Sequence, residues 1–271
     1  MIIESILVLS GLGLAFGIFL AFAANKFKVE HNQEIDEVLA VLPGINCGAC
    51  GYAGCQGYAE AVASNPDVPV DLCVPGQHDV AEKVAHVLGR DVTGKKVKLV
   101  AQLKCAGGKE QASNKYDYQG VKTCKAALLL AGGPKACSYG CIGFGDCVKV
   151  CKFDALKMGE NGLPIVNKEK CVACGACVKE CPKKLFKLVP KEKKVHVLCS
   201  SKDSAKTVVK VCKVGCTACK MCEKACPVEG SAIHVNDNLA EIDYSKCTEC
   251  GACVKACPRK IILDERKEAK I

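Results

Sequence analysis

The sequence predicts an α+β protein in three parts: a single membrane-spanning N-terminal helix, a small mostly helical domain, and a tandem of βαβ-type modules. Three observations carry that prediction. Residues 5–24, SILVLSGLGLAFGIFLAFAA, hold no charge. A glycine- and cysteine-rich stretch, INCGACGYAGC, follows a short helical pattern. One phrase, with cysteine at positions 1, 4, 7 and 11 and then proline, recurs three times.

The first part, 1–25, is read as a transmembrane anchor. The uncharged run matches the roughly 20 apolar residues that cross a bilayer as one helix. A secretory signal would want a positive start and a shorter apolar core, whereas the chain begins MIIE. Lys26 and Lys28 follow the span, so positive-inside bias predicts a single-pass protein of the cell membrane with its cysteine-bearing parts in the cytoplasm. Gly13 and Gly17 form a small-xxx-small pair, read equally as a helix-packing face or as ordinary glycine usage in a span.

The second part, 26–95, opens with helical spacing of Ile35, Val38, Leu39 and Leu42. A Pro-Gly turn leads into Cys47, Cys50 and Cys55; a helix is expected from 56 to 63, and Cys73 returns after a proline-rich loop. Gly44, Gly48, Gly51 and Gly54 let the backbone wrap tightly round a bulky group. Three clustered cysteines and one remote make the ligand count of a [4Fe–4S] cluster, with zinc as the rival. An amphipathic helix over 80–90 closes the domain, and DVTGKK (91–96) marks a boundary.

The third part, 96–271, carries the repeats CVACGACVKECP (171–182), CTACKMCEKACP (216–227) and CTECGACVKACP (247–258). This is the bacterial ferredoxin run, in which three cysteines hold one cluster and the fourth reaches to the neighbouring one. Residues 212–264 therefore form one ferredoxin-like pair. CSYGCIGFGDCVKVC (137–151) has irregular spacing, but Cys151 precedes Cys171 by nearly the interval that separates Cys226 from Cys247. KFDALKM after Cys151 also matches the phrase that follows a ferredoxin half, so 137–190 is read as another pair with stretched loops.

Crossed ligation then assigns Cys137, Cys141, Cys147 and Cys181 to one cluster and Cys151, Cys171, Cys174 and Cys177 to its neighbour. Cys216, Cys219, Cys222 and Cys257 form a third set, and Cys226, Cys247, Cys250 and Cys253 a fourth. With the first domain these make five [4Fe–4S] clusters. Cys105, Cys124, Cys199 and Cys212 remain, read either as ligands of a sixth cluster or as buried inert thiols. VKLVAQLKC (97–105) and KVHVLC (194–199) are expected strands; if they pair, Cys105 and Cys199 lie side by side, with Cys124 and Cys212 approaching from helices.

Composition narrows the function. The 24 cysteines in 271 residues exceed ordinary core usage, and tight C-x-x-C-x-x-C runs are ill placed for disulfides. The formal charge of +9 counts thiols as neutral. A four-thiolate cluster carries about −2, so six would bring the total to about −3. Lys179, Lys183, Lys184, Lys220, Lys224 and Lys255 sit beside the motifs and offset that charge; nucleic-acid binding has no support, while a basic docking face for an acidic redox partner fits. The five histidines are scattered and form no site, and neither a G-x-G-x-x-G fingerprint between a strand and a helix nor a Walker loop is present. Many clusters with no catalytic residues describe an electron relay.

The order of parts, with LPGINCGACGYAGCQGYAEAV ahead of a polyferredoxin, resembles the B subunit of the Rnf-type ion-translocating electron-transport complex, in an extended version. That resemblance implies acceptance of electrons from soluble ferredoxin and their passage to membrane and flavin-containing subunits of a complex that couples ferredoxin/NAD electron transfer to Na⁺ or H⁺ movement. The alternatives are a tethered polyferredoxin serving a hydrogenase or a CO dehydrogenase/corrinoid system, and a redox sensor, for which no effector domain is evident.

Overall fold

The computed structural model describes residues 2–26, 32–92 and 97–268. Helix α1 (Ile2–Lys26) comes first. Among the described residues no helix is long and apolar enough to cross a membrane, which overturns the expected single membrane-spanning helix. Residues 93–96 of the expected boundary lie outside the described residues.

The next unit packs three helices, α2 (Gln33–Val41), α3 (Gly54–Ser64) and α4 (Gln77–Val87), around Val38, Tyr58, Val62 and Val84. The Asn32 side chain caps α2 by accepting the Glu34 N–H at 3.0 Å, satisfying a donor that the helix leaves free. At the far end of α3 the Arg90 guanidinium donates to Val62 O at 2.8 Å and to Pro66 O and Val68 O at 3.3 Å. A cation there meets the negative end of the helix dipole and pins the following loop.

The remainder is one motif used twice. The first copy comprises β1 (Leu99–Leu103), α5 (Cys124–Leu129), α6 (Asp146–Lys149), β2 (Leu156–Met158), β3 (Pro164–Val166), α7 (Ala176–Glu180) and β4 (Phe186–Pro190). The second comprises β5 (Val195–Val197), α8 (Ala205–Val211), α9 (Met221–Lys224), β6 (Ile233–Asn236), β7 (Leu239–Ile242), α10 (Ala252–Ala256) and β8 (Ile262–Asp264), followed by α11 (Glu265–Glu268). In each copy an antiparallel hairpin, β2–β3 or β6–β7, accompanies an outer pair, β1–β4 or β5–β8. Each module thus begins with a strand upstream of its cysteine motifs.

β1 and β5, the two strands whose pairing would have set Cys105 beside Cys199, instead each close their own module. Their C-terminal ends still meet, because Ala106 N–H donates to Leu198 O at 3.0 Å. β1 is buried on both faces, including Val100 and Gln102, so its side chains are shared between the module core and the neighbouring elements. Leu185 and Phe186 centre the first core, and Ile233, Ile261 and Ile262 the second.

Candidate metal centres

The ligand loops have a recurring backbone. The residue before the second cysteine of each regular phrase is left-handed without being glycine: Ala173 (φ 57°), Ala218 (φ 53°) and Glu249 (φ 58°). The residue after it is left-handed too, Gly175, Lys220 and Gly251, and starts the short helix that carries the third cysteine. Left-handed non-glycine residues cost about 1–2 kcal/mol each and persist where a bound group or surrounding packing fixes them. The strain turns several sulfurs towards one space.

Four cavities are each lined by four cysteines. One holds Cys216, Cys219, Cys222 and Cys257, and another Cys226, Cys247, Cys250 and Cys253, each about 330 Å³. A third, about 380 Å³, is lined by Cys124, Cys141, Cys147 and Cys181. A fourth, also about 380 Å³, is lined by Cys105, Cys137, Cys199 and Cys212. The grouping departs from the spacing-based expectation by one exchange, since Cys124 stands where Cys137 was placed.

The reason lies in Asp146. Its buried carboxylate accepts the Cys124 N–H at 2.7 Å and the Lys125 N–H at 3.2 Å, drawing the start of α5 over α6. Thr123 caps the same turn on Ala126 N–H at 3.2 Å. Cys137 lies beyond an Asn114–Lys135 bridge and faces the other space, shared with Cys105 just past the end of β1.

That shared quartet sits between the modules. Cys199 Sγ accepts the Cys216 N–H at 3.5 Å, and the Cys141 amide reaches the Cys105 thiol. Close packing beside it needs glycine: a Cβ on Gly215 would lie 2.3 Å from Val208, and one on Gly107 would lie 3.2 Å from the Ala112 Cβ.

The members of the two remaining sets are gathered as well. Cys171, Cys174, Cys147 and Cys151 all act electrostatically on Cys177, and Cys47, Cys50 and Cys55 on Cys73. Asn46 (φ 51°) braces the latter loop by accepting the Cys55 N–H at 2.8 Å. Cys47 also acts on Cys174, which places the first domain's loop beside the first module's.

The donor set fits an iron–sulfur cluster. A single zinc ion needs four sulfurs about 2.3 Å from one point. Among the described residues no three ligating side chains converge on one ion. Burial pushes the Cys147 and Cys177 thiols up to about 12 and those of Cys199, Cys222 and Cys253 to about 11. Such thiols ionise only against a cationic core, which couples binding to proton release. Backbone N–H groups already aim at the sulfurs: Ala101 at Cys171 (3.4 Å), Leu185 at Cys181 (3.4 Å) and Ala232 at Cys226 (3.3 Å), the kind of contact that tunes cluster potential.

Four-cysteine spaces strung through two ferredoxin-type modules define an iron–sulfur electron-transfer protein. A family model described as a putative Fe–S cluster matches residues 42–75, and one described as a 4Fe–4S dicluster domain matches 140–185 and 215–262. The chain is 48% identical over 245 residues to the B subunit of the ion-translocating oxidoreductase complex of Methanosarcina acetivorans, covering 90% of this chain and 91% of that protein. It is 45% identical to the B subunit of the proton-translocating ferredoxin:NAD(+) oxidoreductase complex of Clostridium ljungdahlii, covering 90% and 85%. To its Na(+)-translocating counterpart in Acetobacterium woodii it is 42% identical, covering 88% and 71%. The chain belongs to the B-subunit family of Rnf-type ion-translocating oxidoreductase complexes. Within such a ferredoxin:NAD oxidoreductase it is an electron-transfer component, a relay.

Proposed function

We propose that this protein takes electrons from soluble reduced ferredoxin and relays them, through six [4Fe–4S] clusters, to membrane and flavin-containing subunits of its complex. Each cluster would supply a one-electron site at low potential. The proposed ligand sets are Cys47, Cys50, Cys55 and Cys73; Cys151, Cys171, Cys174 and Cys177; Cys124, Cys141, Cys147 and Cys181; Cys105, Cys137, Cys199 and Cys212; Cys216, Cys219, Cys222 and Cys257; and Cys226, Cys247, Cys250 and Cys253. In this reading 32–92 is a one-cluster domain, and 99–190 and 195–264 are the two dicluster modules.

The single observation that carries the sixth set is the shared cavity. Cys105 and Cys137 come from the first module's side and Cys199 and Cys212 from the second's, and their amide contacts reach Cys141 and Cys216 in turn. These contacts support an order in which the shared quartet stands between one quartet of the first module and one of the second. A complex that moves an ion works across a membrane, and a chain this rich in thiolate ligands favours the reducing, cytoplasmic side for its cysteine-bearing units.

The test is iron and acid-labile sulfide per chain on anaerobically purified full-length protein. About 24 irons supports six centres; about 20 rejects the shared one; zinc in place of iron overturns the relay.

A further inference from the structure

The two modules meet on two sides. One is the shared cysteine quartet. The other is a single buried imidazole, His196, in the middle of β5 and fully shielded from solvent. Its Nε2 lies 3.1 Å from Lys168 Nζ and its Nδ1 lies 2.7 Å from Tyr244 Oη.

These two partners occupy equivalent places in the repeat. Lys168 lies in NKEKC, three residues before Cys171, and Tyr244 in DYSKC, three residues before Cys247. Both loops share one backbone turn, with Cys171 N–H on Asn167 O at 3.1 Å and Cys247 N–H on Asp243 O at 3.0 Å. One imidazole therefore receives the same position from each module.

Proton placement follows from the partners. An ammonium donates and never accepts, so Nε2 is the acceptor and Nδ1 carries the hydrogen that Tyr244 Oη receives. Glu265 completes the group, with Oε1 2.5 Å from Lys168 Nζ and 3.7 Å from His196 Nε2. Burial, then the neighbouring Lys168, Lys104 and Lys194 charges, hold His196 down at about 3, in the neutral form this pattern needs.

β5 and the residues just beyond it connect this group to the centres. Val195 lines the cavity of Cys226, Cys247, Cys250 and Cys253, and Cys199 enters the shared quartet. We propose that His196 is a positioning residue for the relay: clamped between Lys168 of one module and Tyr244 of the other, it holds β5 in place so that Cys199 keeps its position between the modules. This rests on the assignment of Cys199 to a cluster.

The experiment is stepwise reduction of the full chain under anaerobic conditions, followed by EPR, with the shared centre's signal identified by its loss in Cys199→Ser. In His196→Leu that signal should shift or split into several forms, with a changed midpoint potential, while the signal lost in Cys124→Ser stays as in the wild type. His196→Gln, which keeps one acceptor and a donor, should restore it. Tyr244→Phe removes one oxygen and should move the same signal less, and it serves where His196→Leu does not accumulate.

An unchanged shared-centre signal in His196→Leu with full iron content overturns the proposal. So does an unchanged signal in Tyr244→Phe, or a proportional decline of all signals together. A Cys199→Ser protein that loses no signal instead refutes the cluster assignment beneath it.

Discussion

The two modules share one frame and differ in how they fill it. In the second, three cysteines lining one cavity come from a single loop, Cys216, Cys219 and Cys222, and the fourth, Cys257, from across the pair. In the first, Cys141 and Cys147 come from the loop, Cys181 from across, and Cys124 from a separate helix upstream. Within the irregularly spaced stretch 137–151, Cys137 lines the cavity between the modules. The strands and paired helices fix where each space lies, and the loop can draw its last sulfur from elsewhere.

The largest effect that would sharpen this contrast comes from Asp146, which has no counterpart in the second module, where Met221 stands before Cys222. Asp146→Ala removes two charge-assisted hydrogen bonds at the start of α5 and should cost about 2–4 kcal/mol, with loss of one centre's iron. Met221→Ala, at a half-exposed site, should leave both iron content and denaturation midpoint unchanged.

The histidine seam gives the next effect. Unfolded, its imidazole binds a proton below about pH 6.5, whereas folded it stays neutral down to about pH 3. Between those values the unfolded state holds more protons, so stability falls as the pH falls. The slope contributed is at most about 1.4 kcal/mol per pH unit, and it should vanish in His196→Gln when urea midpoints are compared from pH 7 to pH 5.

Smaller effects separate the loops themselves. Gly145 (φ 76°) starts α6, and a Cβ there would stand 3.3 Å from the Met158 side chain. Gly145→Ala should cost about 1–2 kcal/mol. Lys220 holds the matching left-handed place in the second module at φ 59°, where the other phrases carry Gly175 and Gly251. Lys220→Gly should therefore raise stability by about 0.5–1 kcal/mol, read as a higher denaturant midpoint.

Much of the fold is legible in the chain. The 1-4-7-11 cysteine phrase marks both ferredoxin-like units, and the family model for a 4Fe–4S dicluster domain matches at both places. The place of Cys124 beside Cys141 and Cys147 is not legible, because the contact that holds Cys124 there runs through Asp146, 22 residues away in sequence. The partners of the closing strands are not legible for a related reason: β1 and β5 have like patterns, and pattern alone does not choose a partner. His196 reads as an unremarkable histidine in a short strand; its signal is the match between NKEKC and DYSKC, visible only once the repeats are aligned.

The central claim is the ligand exchange. Cys124→Ser, Cys137→Ser, Cys141→Ser and Cys199→Ser proteins, purified anaerobically and compared by EPR on reduction, test it directly. Cys124→Ser should alter the same signal as Cys141→Ser, and Cys137→Ser the same signal as Cys199→Ser. If Cys137→Ser instead matches Cys141→Ser, the spacing of the motif governs ligation and the exchange of Cys124 for Cys137 does not occur.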